Sequence, residues 1–201
     1  MTSFADLMTL TTEITRRPEL SSMTTQAVRA AVVRAHCSAF FPRDMVVGVA
    51  TPTRNPDTPL VQVDDVFAVV PNLRAVKFVQ CVDPSTSRAL ERLTNYSADD
   101  IYTHEGLLRP SAYTVVGPQL RTYPIAYAGK LEIYAYALPT TTSGGFASWI
   151  ADLYPDEIAT WAAAVVLHRT GNNEQAQQLL KTAVSPFKDM LIEAHESLQI
   201  G

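Results

Sequence analysis

The stretch Tyr113-Thr-Val-Val-Gly117-Pro-Gln-Leu120-Arg-Thr-Tyr-Pro124, then Gly129-Lys-Leu-Glu-Ile133-Tyr-Ala-Tyr136-Ala-Leu-Pro139, decides how this chain is read. β-Branched and aromatic residues alternate in it, and Gly117-Pro118 and Ala128-Gly129 supply turn formers. The pattern predicts a β-meander over Tyr113 to Val116, Gln119 to Ile125 and Lys130 to Leu138. In the last strand Leu131, Ile133, Ala135 and Ala137 share one face, with Tyr134 and Tyr136 on the other. Directly behind it comes a helical hairpin, Trp149 to about Gln199, in which Tyr154-Pro155-Asp156-Glu157 opens an Ala-rich helix and Gly171-Asn-Asn-Glu174 separates it from the next.

Pro155 at the first helical position, with two carboxylates behind it, suits the positive end of the helix dipole. Gly171 supplies the stop. No residue from Trp161 to Leu167 is charged, so this helix is apolar all round and must be enclosed on several sides. In the last helix Ala176, Leu179, Leu180 and Ala183 line one face. Ser185-Pro186 then kinks or restarts it, because Pro186 has no N–H for residue 182. Phe187, Met190, Leu191, Ala194 and Leu198 continue the stripe, and Asp189, Glu193 and Glu196 make the other face acidic.

Toward the N-terminus, Ser3-Phe-Ala-Asp6 reads as a capped helix start, and Phe4, Leu7, Leu10 and Ile14 recur at helical spacing up to Pro18. A second helix is expected from Thr24 or Thr25 to about Phe40, with Val28, Ala31, Val32, Ala35 and Ala39 as a stripe of small residues and Arg29 and Arg34 off it. From Pro42 the character changes. Five prolines between Pro42 and Pro71 punctuate short β-branched runs, which predict strands over Met45 to Ala50, Val61 to Val63, Val66 to Val70 and Leu73 to Val82. Ser87 to Thr94 carries a helical patch, and Tyr96 to Asp100 resembles a second helix start.

The fold class expected is α+β: an antiparallel helical bundle of two N-terminal and two C-terminal helices, residues 1–42 and 147–201, with a small antiparallel β domain, residues 43–146, inserted between them. At 201 residues the chain can bury a sizeable core.

Composition narrows the function classes. Net charge is -4 and no long basic run exists, which argues against tight sequence-specific nucleic-acid binding. Up to Arg54 there are six Lys/Arg against four Asp/Glu, and from Asn55 onward ten against sixteen. Only 18% of residues are charged, against about 25% in ordinary soluble domains, so other chains are expected to cover part of the surface. Cys37 and Cys81 lack metal-ligand spacing and read as reduced, buried thiols. The N-terminus lacks the charged start and apolar run of a signal peptide, and no segment approaches the roughly 18 apolar residues of a membrane span.

Reactive constellations are not legible. His36, His104, His168 and His195 are scattered singly, and His36 and Cys37, adjacent on a helix, diverge by about 100°. His168 and Arg169 fit the negative end of their helix. Asp64-Asp65, Asp99-Asp100 and Asp156-Glu157 read as turn and cap residues, and Ser143-Gly-Gly145 as a linker. No nucleophile elbow, phosphate-cradling loop or zinc-protease motif occurs. The sequence therefore yields no catalytic, cofactor-binding or metal-binding residues, and an enzyme is not expected.

The order of elements resembles the head-to-tail adaptor (connector) proteins of tailed bacteriophages. The residues that carry the resemblance are Tyr113, Gly117, Leu120, Pro124, Ile133, Tyr134 and Tyr136 in the β part. In the hairpin they are Trp149, Tyr154, Pro155, Asp156 and Ala162-Ala163-Ala164. The N-terminal match, Phe4 to Leu7 and Arg34 to His36, is generic helical periodicity, and Val70-Pro71-Asn72-Leu73 departs from the family's strand start. The resemblance implies a structural virion protein of the neck, made in the host cytoplasm. It implies a homo-oligomeric ring, a dodecamer, that docks on the portal protein and extends the channel for double-stranded DNA. Tail proteins would attach to its far side, and no cofactor is implied. Candidates for core or ring contacts are the Trp161 to Leu167 helix and the small-residue stripe of the second helix, and Glu193 and Glu196 for an acidic channel or portal-facing surface. The alternatives are another neck or tail-completion ring protein, or a cellular α+β binding module using its aromatic β part.

Overall fold

A computed structural model describes residues 2–54, 61–83, 85–86, 88–97, 111–123, 129–142 and 144–197. The fold is α+β, and the chain divides into two compact units, Met1–Asp44 with Leu138–Gly201, and Met45–Ala137.

The first unit is helical. Helix α1, Phe4–Thr15, begins at the expected cap: Ser3 Oγ accepts from the Asp6 N–H at 3.1 Å and Asp6 reciprocates to the Ser3 N–H at 2.9 Å. Helix α2 spans Ser21–His36, so it starts earlier and stops sooner than its periodicity suggested, leaving Ala39 outside. Then come α4 (Trp149–Leu153), α5 (Pro155–Arg169), α6 (Asn173–Leu179) and α7 (Ser185–Ser197). Between the last two lies one π turn, Leu180–Val184. Pro186 offers no N–H to the preceding turn, and Ser185 Oγ donates instead to the Leu180 carbonyl, five residues back, at 3.0 Å. Phe4, Leu7, Val28, Ala31, Val32, Ala35, Ile158, Trp161, Ala162, Val166, Val184, Phe187 and Leu191 form one core. Ala27, Val28, Ala31 and Ala35 let α2 approach α5 closely, which is why that stretch uses small residues.

The second unit holds two sheets. In one, the strand order is β1 (Met45–Ala50), β9 (Lys130–Ala137), β4 (Leu73–Val82), β5 (Ala89–Arg92). In the other it is β2 (Thr53–Arg54), β3 (Val61–Val63), β8 (Gln119–Tyr123), β7 (Ala112–Val116), β6 (Thr94–Asn95). All pairs are antiparallel except β6 with β7, which is parallel. Val79, Cys81, Leu131, Ile133 and Ala135 of the first sheet, Val63, Tyr113 and Leu120 of the second, and Val66 and Val70 share one core.

Several expectations change. β7 and β8 form the hairpin turned by Gly117, at φ 60°, but β9 does not continue it as a meander. β9 crosses to the centre of the other sheet, between β1 and β4, where Leu131, Ile133 and Ala135 find full burial. Val66–Val69 is a short helix, α3, rather than a strand, because Asp65 Oδ1 accepts from the Phe67 and Ala68 N–H groups at 2.9 and 3.2 Å. The stretch at Ala89 to Asn95 is β5 and β6 rather than helical, drawn into pairing with β4 and β7. Cys81 is buried, but Cys37, just past the end of α2, is exposed. The turn at Ala128 and the acidic pair Asp99-Asp100 lie outside the described residues, as do His104 and the side chains of Glu193, His195 and Glu196.

Candidate functional site

Helix α2 ends at His36, a 3-10 turn spans Pro42–Asp44, and Ser148 precedes α4. The first two lie eight residues apart and the third more than a hundred further on, and all three meet in the helical unit. Both Asp44 carboxylate oxygens lie against His36 Nδ1, at 2.8 and 2.9 Å. His36 Nε2 lies 2.9 Å from Ser148 Oγ. Trp149 Nε1–H donates to Asp44 Oδ1 at 2.7 Å, and Ser148 Oγ accepts from the Ala151 N–H at 3.1 Å as the cap of α4. His36, Asp44 and Ser148 are all buried.

A carboxylate only accepts, so His36 Nδ1–H and Trp149 Nε1–H both donate to Asp44, while His36 Nε2 and Ser148 Oγ share one hydrogen between them. Trp149 closes the assembly: its ring meets those of His36 and Phe41 edge-on, at 5.8 and 5.3 Å, and Arg43 Cζ sits 5.3 Å from its centroid.

A serine, a histidine and an aspartate in this order form the connectivity of a nucleophile, a base and the group that orients it. Here the serine oxygen is buried and already accepts the Ala151 N–H. The arrangement acts instead as a clasp. Asp44 is the last residue before β1, and Ser148 lies a short way past the end of β9. The network therefore ties to α2 both Asp44, the last residue before the chain leaves the helical unit, and Ser148, within the segment that begins at Leu138 and returns to it. Sequence reasoning tested His36 only against Cys37 and missed Asp44 and Ser148. The one local signal was Ser148 before an apolar helical turn, a cap pattern, but its partner is 112 residues away.

Other singled-out residues lie in local hydrogen bonds and at helix starts. His168 Nδ1 meets Asn173 Oδ1 at 2.8 Å at the turn after α5, and Arg169 donates to Gln26 at 3.4 Å. Asp65 caps α3, and Asp156 and Glu157 open α5. Among the described residues no group of three or more His, Cys, Asp or Glu is placed to hold a metal ion. No described helix is long and apolar enough to cross a membrane. From Trp161 to Leu167 only Val165 is more than 4% exposed, and Val28, Ala31, Val32 and Ala35 are fully buried, so both candidate contact helices are spent on the unit's own core. Burial on the β unit also moves a proton: it holds the Tyr113 hydroxyl above its ordinary pKa.

The β unit leaves one strand conspicuously uncovered. Met45, Val46, Val47 and Val49 of β1 are 37%, 40%, 50% and 56% exposed, and β1 is an edge strand of its sheet, as β5 is at the other side.

Beside a buried polar cluster in the helical unit, the chain thus exposes an uncharged edge strand in the β unit. The chain matches the family model of the SU10 adaptor protein over residues 2–198, nearly its whole length, and belongs to that family. It is thus a structural adaptor, or connector, of a bacteriophage, located at the virion neck in association with portal and tail proteins. No curated protein matches it.

Proposed function

We propose that this chain is the repeating subunit of a head-to-tail adaptor ring, a dodecamer, that docks on the portal, extends the DNA channel and presents the surface to which the tail attaches. The family match over residues 2–198 carries this reading. The helical segments at the two ends of the chain act as one antiparallel bundle domain, residues 1–42 and 147–201, with the β domain, residues 43–146, inserted as a separate contact module. The buried clasp of His36, Asp44 and Ser148 supports that division of labour, because it holds the root of the insertion rigid while leaving the β unit to meet neighbours. Packaged double-stranded DNA passes without sequence recognition. A chain of net charge -4 with an acidic last helix repels phosphates, so the duplex slides rather than sticks.

The test is to mix the full chain with its portal protein and read mass and symmetry by native mass spectrometry and electron microscopy. A closed ring of about twelve copies seated on the portal is expected. A chain that stays monomeric and ignores the portal overturns the reading.

A further inference from the structure

The exposed apolar residues of the β unit concentrate on β1. Its pairing register sets Met45, Val47 and Val49 opposite Tyr136, Tyr134 and Glu132 of β9, so they share the outward face of the sheet. On that face Phe78 stacks on Tyr134 with centroids 4.2 Å apart, and Arg92 Cζ lies 3.9 Å from the Phe78 centroid. β9 pairs with one side of β1, and no described strand pairs with the other, so half of its backbone N–H and C=O groups point away from the sheet. Edge strands are ordinarily guarded by lysine, proline or charge, and residues 45–50 contain none of these.

We propose that β1 is covered by a second copy of this chain, which packs along the open edge and over Val47 and Val49, in a head-to-tail arrangement. The inference rests on the ring reading above and names the contact that builds the ring. Charge favours a second copy. Copies of a chain of net charge -4 repel one another unless they meet on an uncharged surface, and β1 provides one. A cationic partner would be met by an acidic face instead.

Area points the same way. Six residues rising about 3.3 Å each, across about three strands spaced about 4.8 Å, give a face of roughly 300 Å². A stable two-body complex needs about 800 Å² per partner. One partner held only here would fall off. In a closed ring every subunit is gripped on two sides, and the last contact forms without recruiting another molecule from solution. The patch on the neighbour must differ from β1, since a symmetric pairing of β1 with β1 stops at a dimer.

The test compares the full wild-type chain with the double variant Val47→Glu/Val49→Glu, each mixed with the portal protein. Gln175→Glu/Gln178→Glu, adding the same charge to exposed positions of the helical unit, is the control. Circular dichroism establishes that both variants are folded. Expected are rings from wild type and control, at least a tenfold loss of rings from the β1 variant, and at least tenfold slower amide exchange at residues 46–49 on ring closure. Rings of undiminished yield from the β1 variant overturn the inference and leave the ring reading intact. So does protection of β1 when a lone copy sits on the portal, or a β1-dependent species that stops at a dimer. Failure of wild type to form any ring overturns the ring reading itself, and this inference with it.

Discussion

Asp44 and His36 face each other inside the helical unit, with both carboxylate oxygens within 2.9 Å of Nδ1. A buried pair of this kind is costly to break because the surviving partner stays buried without its counterpart. Asp44→Ala is expected to strand the His36 Nδ1–H and the Trp149 Nε1–H, at about 1–3 kcal/mol each, and Ser148→Ala to cost about 1–2 kcal/mol through loss of the α4 cap. Trp149→Phe, which removes the N–H at 2.7 Å from Asp44 while keeping an aromatic ring, should cost about 1.5–3 kcal/mol. Urea denaturation followed by helical circular dichroism measures all three. Equal, negligible losses would mean that the network does not fasten the fold.

Two glycines should respond differently to alanine. A Cβ on Gly48 would lie 2.6 Å from Val70 Cγ2, 2.7 Å from Val69 Cγ1 and 3.1 Å from the Val69 carbonyl oxygen, so β1 passes beneath the end of α3 only because that atom is missing. Gly48→Ala should cost about 1–3 kcal/mol, partly recovered by adding Val70→Ala, which opens space beneath it. Gly117 has nothing within 4 Å of the same position but sits at φ 60°, so Gly117→Ala should cost only about 1 kcal/mol, from backbone conformation. Thermal melts of the four proteins test the contrast, and no rescue by Val70→Ala would refute the steric account.

Trp161 tests whether α5 is a core helix or a contact helix. Its ring is buried in the helical unit, with Lys188 Nζ 4.8 Å from its centroid. Trp161→Ala should destabilise the isolated chain by about 3–5 kcal/mol. If the monomer keeps its stability and only assembly suffers, α5 belongs to the ring contact instead.

Alkaline pH should weaken the β unit through Tyr113. Burial holds its hydroxyl above the ordinary value of about 10. The unfolded chain thus loses this proton first, binds fewer protons than the folded chain, and gains favour as pH rises past about 10. Tyr113→Phe should flatten the fall in stability between about pH 10 and 12. An identical fall in both proteins would show that the hydroxyl ionises freely in the folded state.

Local chemistry was legible wherever a signal and its effect lie within a few residues. The Ser3 cap, the Pro155 start, the Gly171 stop at φ 84° and the break at Ser185-Pro186 all appear as read. Asp65 shows the limit of such reading. Val66 to Val70 looks like a β-branched strand, yet two hydrogen bonds from one carboxylate turn its first residues into a helix. Leu90 and Leu93 misled in the same way, because pairing with β4 and β7 outweighs a weak helical spacing.

The sequence by itself determined the period of each element and hence which residues of α1, α2, α5 and β9 must be hidden. Period says nothing about which neighbour hides them. β9 follows β8 in sequence, yet pairs with β1 and β4, because only the centre of a sheet buries Leu131, Ile133 and Ala135 completely. The clasp of His36 with Asp44 and Ser148, and the uncovered edge at Val47 and Val49, are likewise products of tertiary packing. The His36–Ser148 contact and the pairing of β1 with β9 join segments more than eighty residues apart, where side-chain spacing along the chain carries no information.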